Sequence, residues 1–130
     1  MNAPGTPATP QPLSGLHALV VEDETMIFLL IEDMLREMGC ASVAHATDIR
    51  EALTHAENRR PDFAVLDVNL AGEQVYPVAE RLDAVGVPFA FATGYGRVGM
   101  PERWASRPVI QKPFRQETLA AALVAIVAPV

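Results

Sequence analysis

From Leu16 onward, short apolar runs alternate with stretches whose apolar residues recur at helical spacing, the mark of a βα repeat around a parallel sheet. Residues 16–21 (LHALVV) predict a first strand that ends in Glu22, Asp23 and Glu24. Thr25 or Glu24 then opens a helix with Ile27, Leu30, Ile31, Met34, Leu35 and Met38 as its core stripe, and Gly39 ends it. On that wheel Leu29 falls opposite the stripe and Phe28 on its edge. A weaker strand over residues 41–46 leads to a helix over 49–58, capped by Thr47 or Asp48 and stopped before Pro61. A third strand, residues 63–66 (FAVL), delivers Asp67 at its end. The next helix covers residues 74–84, with Pro77 tolerable only in the first turn. A fourth strand over 87–92 ends at Thr93, and a fifth over 109–111 ends at Lys112. The last helix covers 116–127, with Leu119, Leu123 and Ile126 inward and Ala121 and Val124 outward. Between Thr93 and Pro108 stand Gly94, Gly96, Gly99 and Pro101, so the fourth crossover has room for no more than a short turn around residues 102–105.

This pattern places an ordered domain over residues 16–130. The first fifteen residues hold four of the eleven prolines and no charged side chain, and read as a flexible arm without a signal peptide's basic and apolar regions. The apolar run over residues 119–130 is too short for a spanning helix, which needs about 20 residues. At 130 residues and 50% hydrophobic content, the chain can build one core without staples. Ten basic against sixteen acidic side chains give a net charge of −6, which argues against nucleic acid as a partner. The single cysteine, Cys40, excludes an internal disulfide or a cysteine zinc cluster and fits a reducing, cytoplasmic setting. His17, His45 and His55 lack ligand-like spacing and read as structural or surface residues.

The chemistry lies at the strand ends. In an open parallel sheet, ligands bind at the carboxyl ends of the strands, beside the point where strand order reverses. Glu22, Asp23, Asp67, Thr93 and Lys112 all fall there and should share one rim. Three carboxylates packed together repel, so without a cation at least one should have a raised pKa. A hard divalent ion such as Mg2+ would relieve that conflict with an all-oxygen donor set. Lys112 and the Thr93 hydroxyl would then face an anionic phosphoryl group, and Asp67 is the candidate nucleophile for an aspartyl phosphate.

The succession VVEDE, LDVNLAG, FATG and QKPF resembles the receiver domain of two-component response regulators over residues 16–127. The resemblance implies a flavodoxin-like α/β fold: a five-stranded parallel sheet of order 2-1-3-4-5 with helices on both faces. It implies Asp67 as phosphoacceptor and Asp23 as a direct Mg2+ ligand, with Glu22 acting through water. The backbone carbonyl of Asn69 would be the third protein ligand, Thr93 the switch hydroxyl and Lys112 the phosphate-binding lysine before Pro113. The chain departs from the family at Val109, where an aromatic residue usually stands, and at Ala71, often a proline. The stretch PFAFATGYG (residues 88–96) is similar to the "FAT GUY" subgroup of single-domain receivers, which makes Tyr95 a second switch candidate.

The expected function is therefore phosphoryl acceptance by Asp67 from a histidine kinase or histidine phosphotransfer protein, Mg2+-dependent and without turnover of a substrate. With no output domain after Val130, the signal should leave through a downstream protein partner or onward transfer, as shuttle, sink or contact switch. Exposed Leu29 offers a docking spot for a kinase's helical hairpin, and the last helix a surface for weak self-association of an otherwise monomeric chain. The rival reading is a small phosphohydrolase that forms the same aspartyl phosphate. Its usual acid two residues past the nucleophile is Asn69 here, and the chain has little length for a cap.

Overall fold

A computed structural model describes residues 11–127. Its elements run β1 (His17–Val21), α1 (Thr25–Glu37), β2 (Ser42–Ala46), α2 (Ile49–Asn58), β3 (Phe63–Asp67), β4 (Asn69–Leu70), β5 (Glu73–Gln74), α3 (Tyr76–Ala84), β6 (Phe89–Thr93), a 3-10 turn (Glu102–Trp104), β7 (Val109–Gln111) and α4 (Gln116–Val127). Five strands form one parallel sheet in the order β2-β1-β3-β6-β7. Counted without the small β4–β5 hairpin, this is the 2-1-3-4-5 order that the sequence implies. The two halves of the core lie on opposite faces of the sheet. One joins Val20, Val65 and Ala92 to Phe28, Ile31 and Leu35 of α1 and Leu119 and Leu123 of α4. The other joins Leu19, Leu66, Phe89 and Phe91 to Ala52 and Ala56 of α2, to Val78 and Leu82 of α3, and to Trp104.

Local chemistry sets the helix ends. Asp48 caps α2 by accepting from the Glu51 N–H at 2.8 Å, while the Glu51 carboxylate accepts from the Thr47 N–H at 3.2 Å. The pair satisfies one orphan donor of the first turn, the Glu51 N–H, and ties the residue ahead of the cap, Thr47, back to the helix. Pro77 sits in the first turn of α3, where its missing N–H costs nothing. After α1 the backbone turns through Gly39 at φ 99°, and a Cβ there would lie 2.9 Å from the Ser14 Cα. Only glycine fits that approach.

Three sequence expectations need correction. The stripe of α1 is turned: Phe28 is buried, whereas Leu30 is 52% exposed beside Leu29 and Met26. Phe28 is drawn inward by stacking on His45 of β2, with ring centroids 3.7 Å apart, which the helix's own periodicity does not contain. Residues 11–15, assigned to the arm, form a turn in which Leu13 is fully buried among the α1-side core. Ordered packing thus starts ahead of Leu16; residues 1–10 and 128–130, with the rest of the expected arm and the end of the apolar run, lie outside the described residues. The β4–β5 hairpin was not anticipated. Its two-residue loop needs positive φ at both positions, met by Ala71 (51°) and Gly72 (89°).

The fourth crossover lacks a regular helix, as its glycines predict, but it divides in two. Residues 94–100 are turns that leave Tyr95 and Val98 exposed. Beyond them Trp104 is only 2% exposed, edge-on to Phe89 and Phe91 at 5.6 and 6.1 Å. Arg103 lies over the Trp104 ring and pairs with Glu80 at 2.8 Å, and Arg107 stacks on Phe89 and pairs with Asp83. An indole therefore occupies the place of a helix's apolar face and ties the segment to α3. Trp104→Ala should cost about 3–5 kcal/mol of stability, the range for emptying a buried aromatic site. Urea unfolding followed by circular dichroism measures it, and an unshifted midpoint would remove the anchoring role.

Candidate functional site

Parallel register brings the strand ends together. Val21 is level with Leu66, Asp67 with Ala92, and Thr93 with Gln111. Since neighbouring strands lie about 4.8 Å apart, the residues that follow each strand share one edge of the sheet. Glu22, Asp23 and Asp67 each present a carboxylate oxygen within 4.8 Å of the others. Lys112 enters from the end of β7, with Nζ 2.7 Å from Glu22 Oε1 and 3.3 Å from Asp67 Oδ1. Glu22 and Lys112 are 90 positions apart in the chain and in direct contact in the fold.

Glu22 is the most enclosed member, 1% exposed. Besides the Lys112 bond, its Oε2 accepts from the Glu24 N–H at 3.1 Å. Thr93 is buried at the end of β6, and its Oγ1 accepts from the Tyr95 N–H at 3.1 Å. The Tyr95 ring itself is 74% exposed. Asn69 stands two residues past Asp67 at the start of the hairpin. Its side-chain oxygen accepts from the Gly72 N–H at 3.2 Å, and the hairpin closes with the Val75 N–H donating to the Val68 carbonyl. Lys112 is joined to Pro113 by a cis peptide bond. Glu22, Asp23, Asp67, Thr93 and Lys112 thus stand at the carboxyl edge of the sheet, Asn69 follows in the hairpin, and Tyr95 is directed outward. His45, assigned to a structural or surface role, lies against this rim as well: its Nε2 is 2.7 Å from the Glu22 carbonyl oxygen. No motif marks it, and only the pairing of β2 with β1 brings it there.

The model of the response regulator receiver domain family matches residues 18–124. The chain belongs to that family. The solution structure of SdrG from Sphingomonas melonis Fr1 is 40% identical, covers 90% of this chain and 98% of its own, and superposes with a TM-score of 0.78. Transcriptional regulatory protein PdtaR of Mycobacterium tuberculosis is 28% identical over 111 residues, 82% of this chain and 54% of the relative. The chain spans about half the length of the curated relatives it matches. The receiver domain of sensor histidine kinase PA1611 from Pseudomonas aeruginosa shares the fold, with 24% identity and a TM-score of 0.77 over 89% of this chain and all of the other. That structure has a magnesium ion coordinated in its active-site cleft.

The donor set of this receiver fits the same kind of ion. Carboxylate oxygens, with carbonyl and water oxygens to complete the sphere, suit a hard divalent cation and offer no soft ligand. The electrostatics agree. Burial, and next the negative charge of Glu22, push the Asp67 carboxyl up to about 7, against the opposing pull of Lys112. Burial works against the Lys112 ammonium, but its bond to Glu22 and the charge of Asp67 outweigh that and raise its pKa. One ammonium does not neutralise three crowded acids, so a proton is retained where a cation would otherwise sit.

The raised Asp67 value carries a sign. In the folded state the group holds a proton that the unfolded chain has lost, so its contribution to stability is complete below about pH 3.8 and lost as pH rises to about 7. In metal-free buffer, Asp67→Asn should gain on the parent by roughly 2–4 kcal/mol between pH 4 and pH 8. Parallel urea titrations read the difference. A gap that stays constant with pH would show Asp67 to be an ordinary carboxylate.

Proposed function

We propose that this receiver accepts a phosphoryl group on the Asp67 carboxylate from a phosphohistidine of a histidine kinase or phosphotransfer protein. The observation that carries the proposal is the meeting of Asp67 with two further acids and with Lys112, whose Nζ lies 3.3 Å from Asp67 Oδ1. Asp23, Asp67 and the Asn69 backbone carbonyl would hold Mg2+, with Glu22 behind them. Bound there, the ion supplies positive charge for the equatorial phosphoryl oxygens. An ionised Asp67 oxygen attacks phosphorus as the P–N bond breaks. The electron pair goes to the departing nitrogen of an imidazole protonated at its other nitrogen, which leaves neutral. Lys112 binds a phosphoryl oxygen, and its charge together with that of the cation favours the ionised form of Asp67. Attack by water on the aspartyl phosphate returns the carboxylate, so the chain is a phosphoryl carrier with slow self-release and not a turnover enzyme.

Thr93 and Tyr95 form the switch in this reading. A Thr93 hydroxyl drawn toward the phosphoryl group breaks its bond with the Tyr95 N–H, which is the first tie of the helix-free stretch 94–100. Val109 supplies no aromatic ring to couple to that shift, and Tyr95 takes the part, in keeping with the "FAT GUY" likeness. The exposed Met26, Leu29 and Leu30 of α1 are the docking face for the donor's helical hairpin. A shallow cleft of Ile27, Leu30, Lys112, Pro113 and Phe114 continues that face to the rim of the site. Val124 and Ala121 on α4 remain open to weak self-association or to a downstream protein. We assign residues 16–130 to the receiver together with the turn over residues 11–15 that packs Leu13 against it, take the residues before that turn as an arm, and place the protein in the cytoplasm, without nucleic acid as partner. Among the described residues no helix is long and apolar enough to cross a membrane.

Incubation with radiolabelled acetyl phosphate tests the acceptor role. One alkali-labile equivalent per chain should be incorporated with Mg2+, and less than a hundredth of that in excess EDTA or in Asp67→Asn. Label that persists in Asp67→Asn would overturn the acceptor assignment. Release of many equivalents of phosphate per chain at a steady rate would favour a phosphohydrolase instead.

A further inference from the structure

His45 belongs to β2 and is paired in register with Val20 of β1. Its ring lies flat against Phe28 of α1, with centroids 3.7 Å apart and planes 3° from parallel. Held in that orientation, Nε2 reaches the backbone oxygen of Glu22 at 2.7 Å. A carbonyl only accepts, so Nε2 carries the hydrogen and donates it. The oxygen it holds is part of the peptide unit that joins Glu22 to Asp23. That unit is planar, so fixing its oxygen fixes the direction in which the chain enters Asp23.

Glu22 is held from its other sides as well. Its N–H donates to the Ala46 carbonyl at 2.9 Å, and its carboxylate is taken by Lys112 and the Glu24 N–H. Those bonds fix the backbone before Glu22 and the Glu22 side chain, but none fixes the plane that leads on to Asp23. His45 closes that gap. We propose that His45 is a positioning residue, which orients the β1–α1 loop through the Glu22 carbonyl so that the Asp23 carboxylate meets Asp67 with the spacing a divalent cation needs. The proposal rests on the Mg2+ reading of the site and adds to it the residue that preorganises one ligand. Phe28 is the backing of the device: it keeps the ring flat and excludes water from one face of the imidazole. The burial of Phe28 in place of Leu30 has its explanation here.

The test compares three variants. His45→Ala removes donor and ring, His45→Leu keeps apolar bulk against Phe28 without a donor, and His45→Gln keeps an N–H of similar reach. Calorimetric titration with MgCl2 should show Kd raised about tenfold in His45→Ala and His45→Leu, the lower end for loss of a group that orients a ligand. His45→Gln should stay within about twofold of the parent. A second readout needs no metal. In excess EDTA, the Glu22 and Glu24 amides should exchange with solvent about tenfold faster in the Ala and Leu variants and at the parental rate in the Gln variant. A His45→Leu protein that binds and exchanges as the parent does would overturn the proposal, as would a His45→Gln protein as impaired as His45→Ala. If the parent itself fails to bind Mg2+, the metal reading falls, while the exchange rates still decide the role of His45.

Discussion

The crowding of Glu22, Asp23 and Asp67 around one lysine ammonium is the constraint on which the site depends. A parallel sheet forces it: β1, β3 and β7 end at the same edge, with Glu22 just after β1, Asp67 as the last residue of β3 and Lys112 just after β7. The ammonium of Lys112 bonds Glu22 and reaches Asp67, which satisfies the buried Glu22 and leaves a net excess of negative charge. Asp67 answers by holding its proton to about 7. A site in this state favours ligands that bring positive charge, or that bring a phosphoryl group together with a cation. Its imbalance is a reservoir of binding energy rather than a defect of packing.

The rest of the fold serves to hold that imbalance in place. Apolar layers on both faces of the sheet bury the strands, so the rim cannot relax by spreading its ends. The loops that carry the acids are tied individually. Glu22 is bonded through its N–H, its carbonyl and its carboxylate, and Asn69 is fixed in a two-residue hairpin. The helix-free crossover after Thr93 is different in kind. Its far half is anchored by Trp104 between aromatic rings and arginines, while its near half leaves Tyr95 and Val98 in solvent. A change at Thr93 would therefore be confined to the seven residues 94–100, where few apolar contacts resist it.

Much of this was legible in the sequence because the signals are local. Strand runs that stop at an acid, a hydroxyl or a lysine name the rim, and the parallel-sheet rule brings those residues together. Pro77 marked the start of α3, and the glycines after Thr93 marked a crossover without a helix. What escaped was decided by contacts between distant segments. Phe28 turns inward because of His45 on another strand, so a helical wheel assigned its place to Leu30. Leu13 is buried by the α1-side core although its neighbours are proline, glutamine and serine. The small hairpin depends on Ala71 adopting a positive φ that its residue type does not announce. His45 itself carries no spacing signal, since its role comes from cross-strand register and one hydrogen bond.

The central claim is that the acids and Lys112 make a single metal-assisted phosphoryl site at Asp67. The most direct measurement is a titration with beryllofluoride, a tetrahedral phosphoryl mimic, followed by amide NMR with and without Mg2+. The account predicts one-to-one binding only when Mg2+ is present, with the largest shifts at Asp67, Asn69, Thr93, Tyr95 and Lys112. Binding that ignores Mg2+, or shifts centred away from the carboxyl ends of the strands, would contradict it.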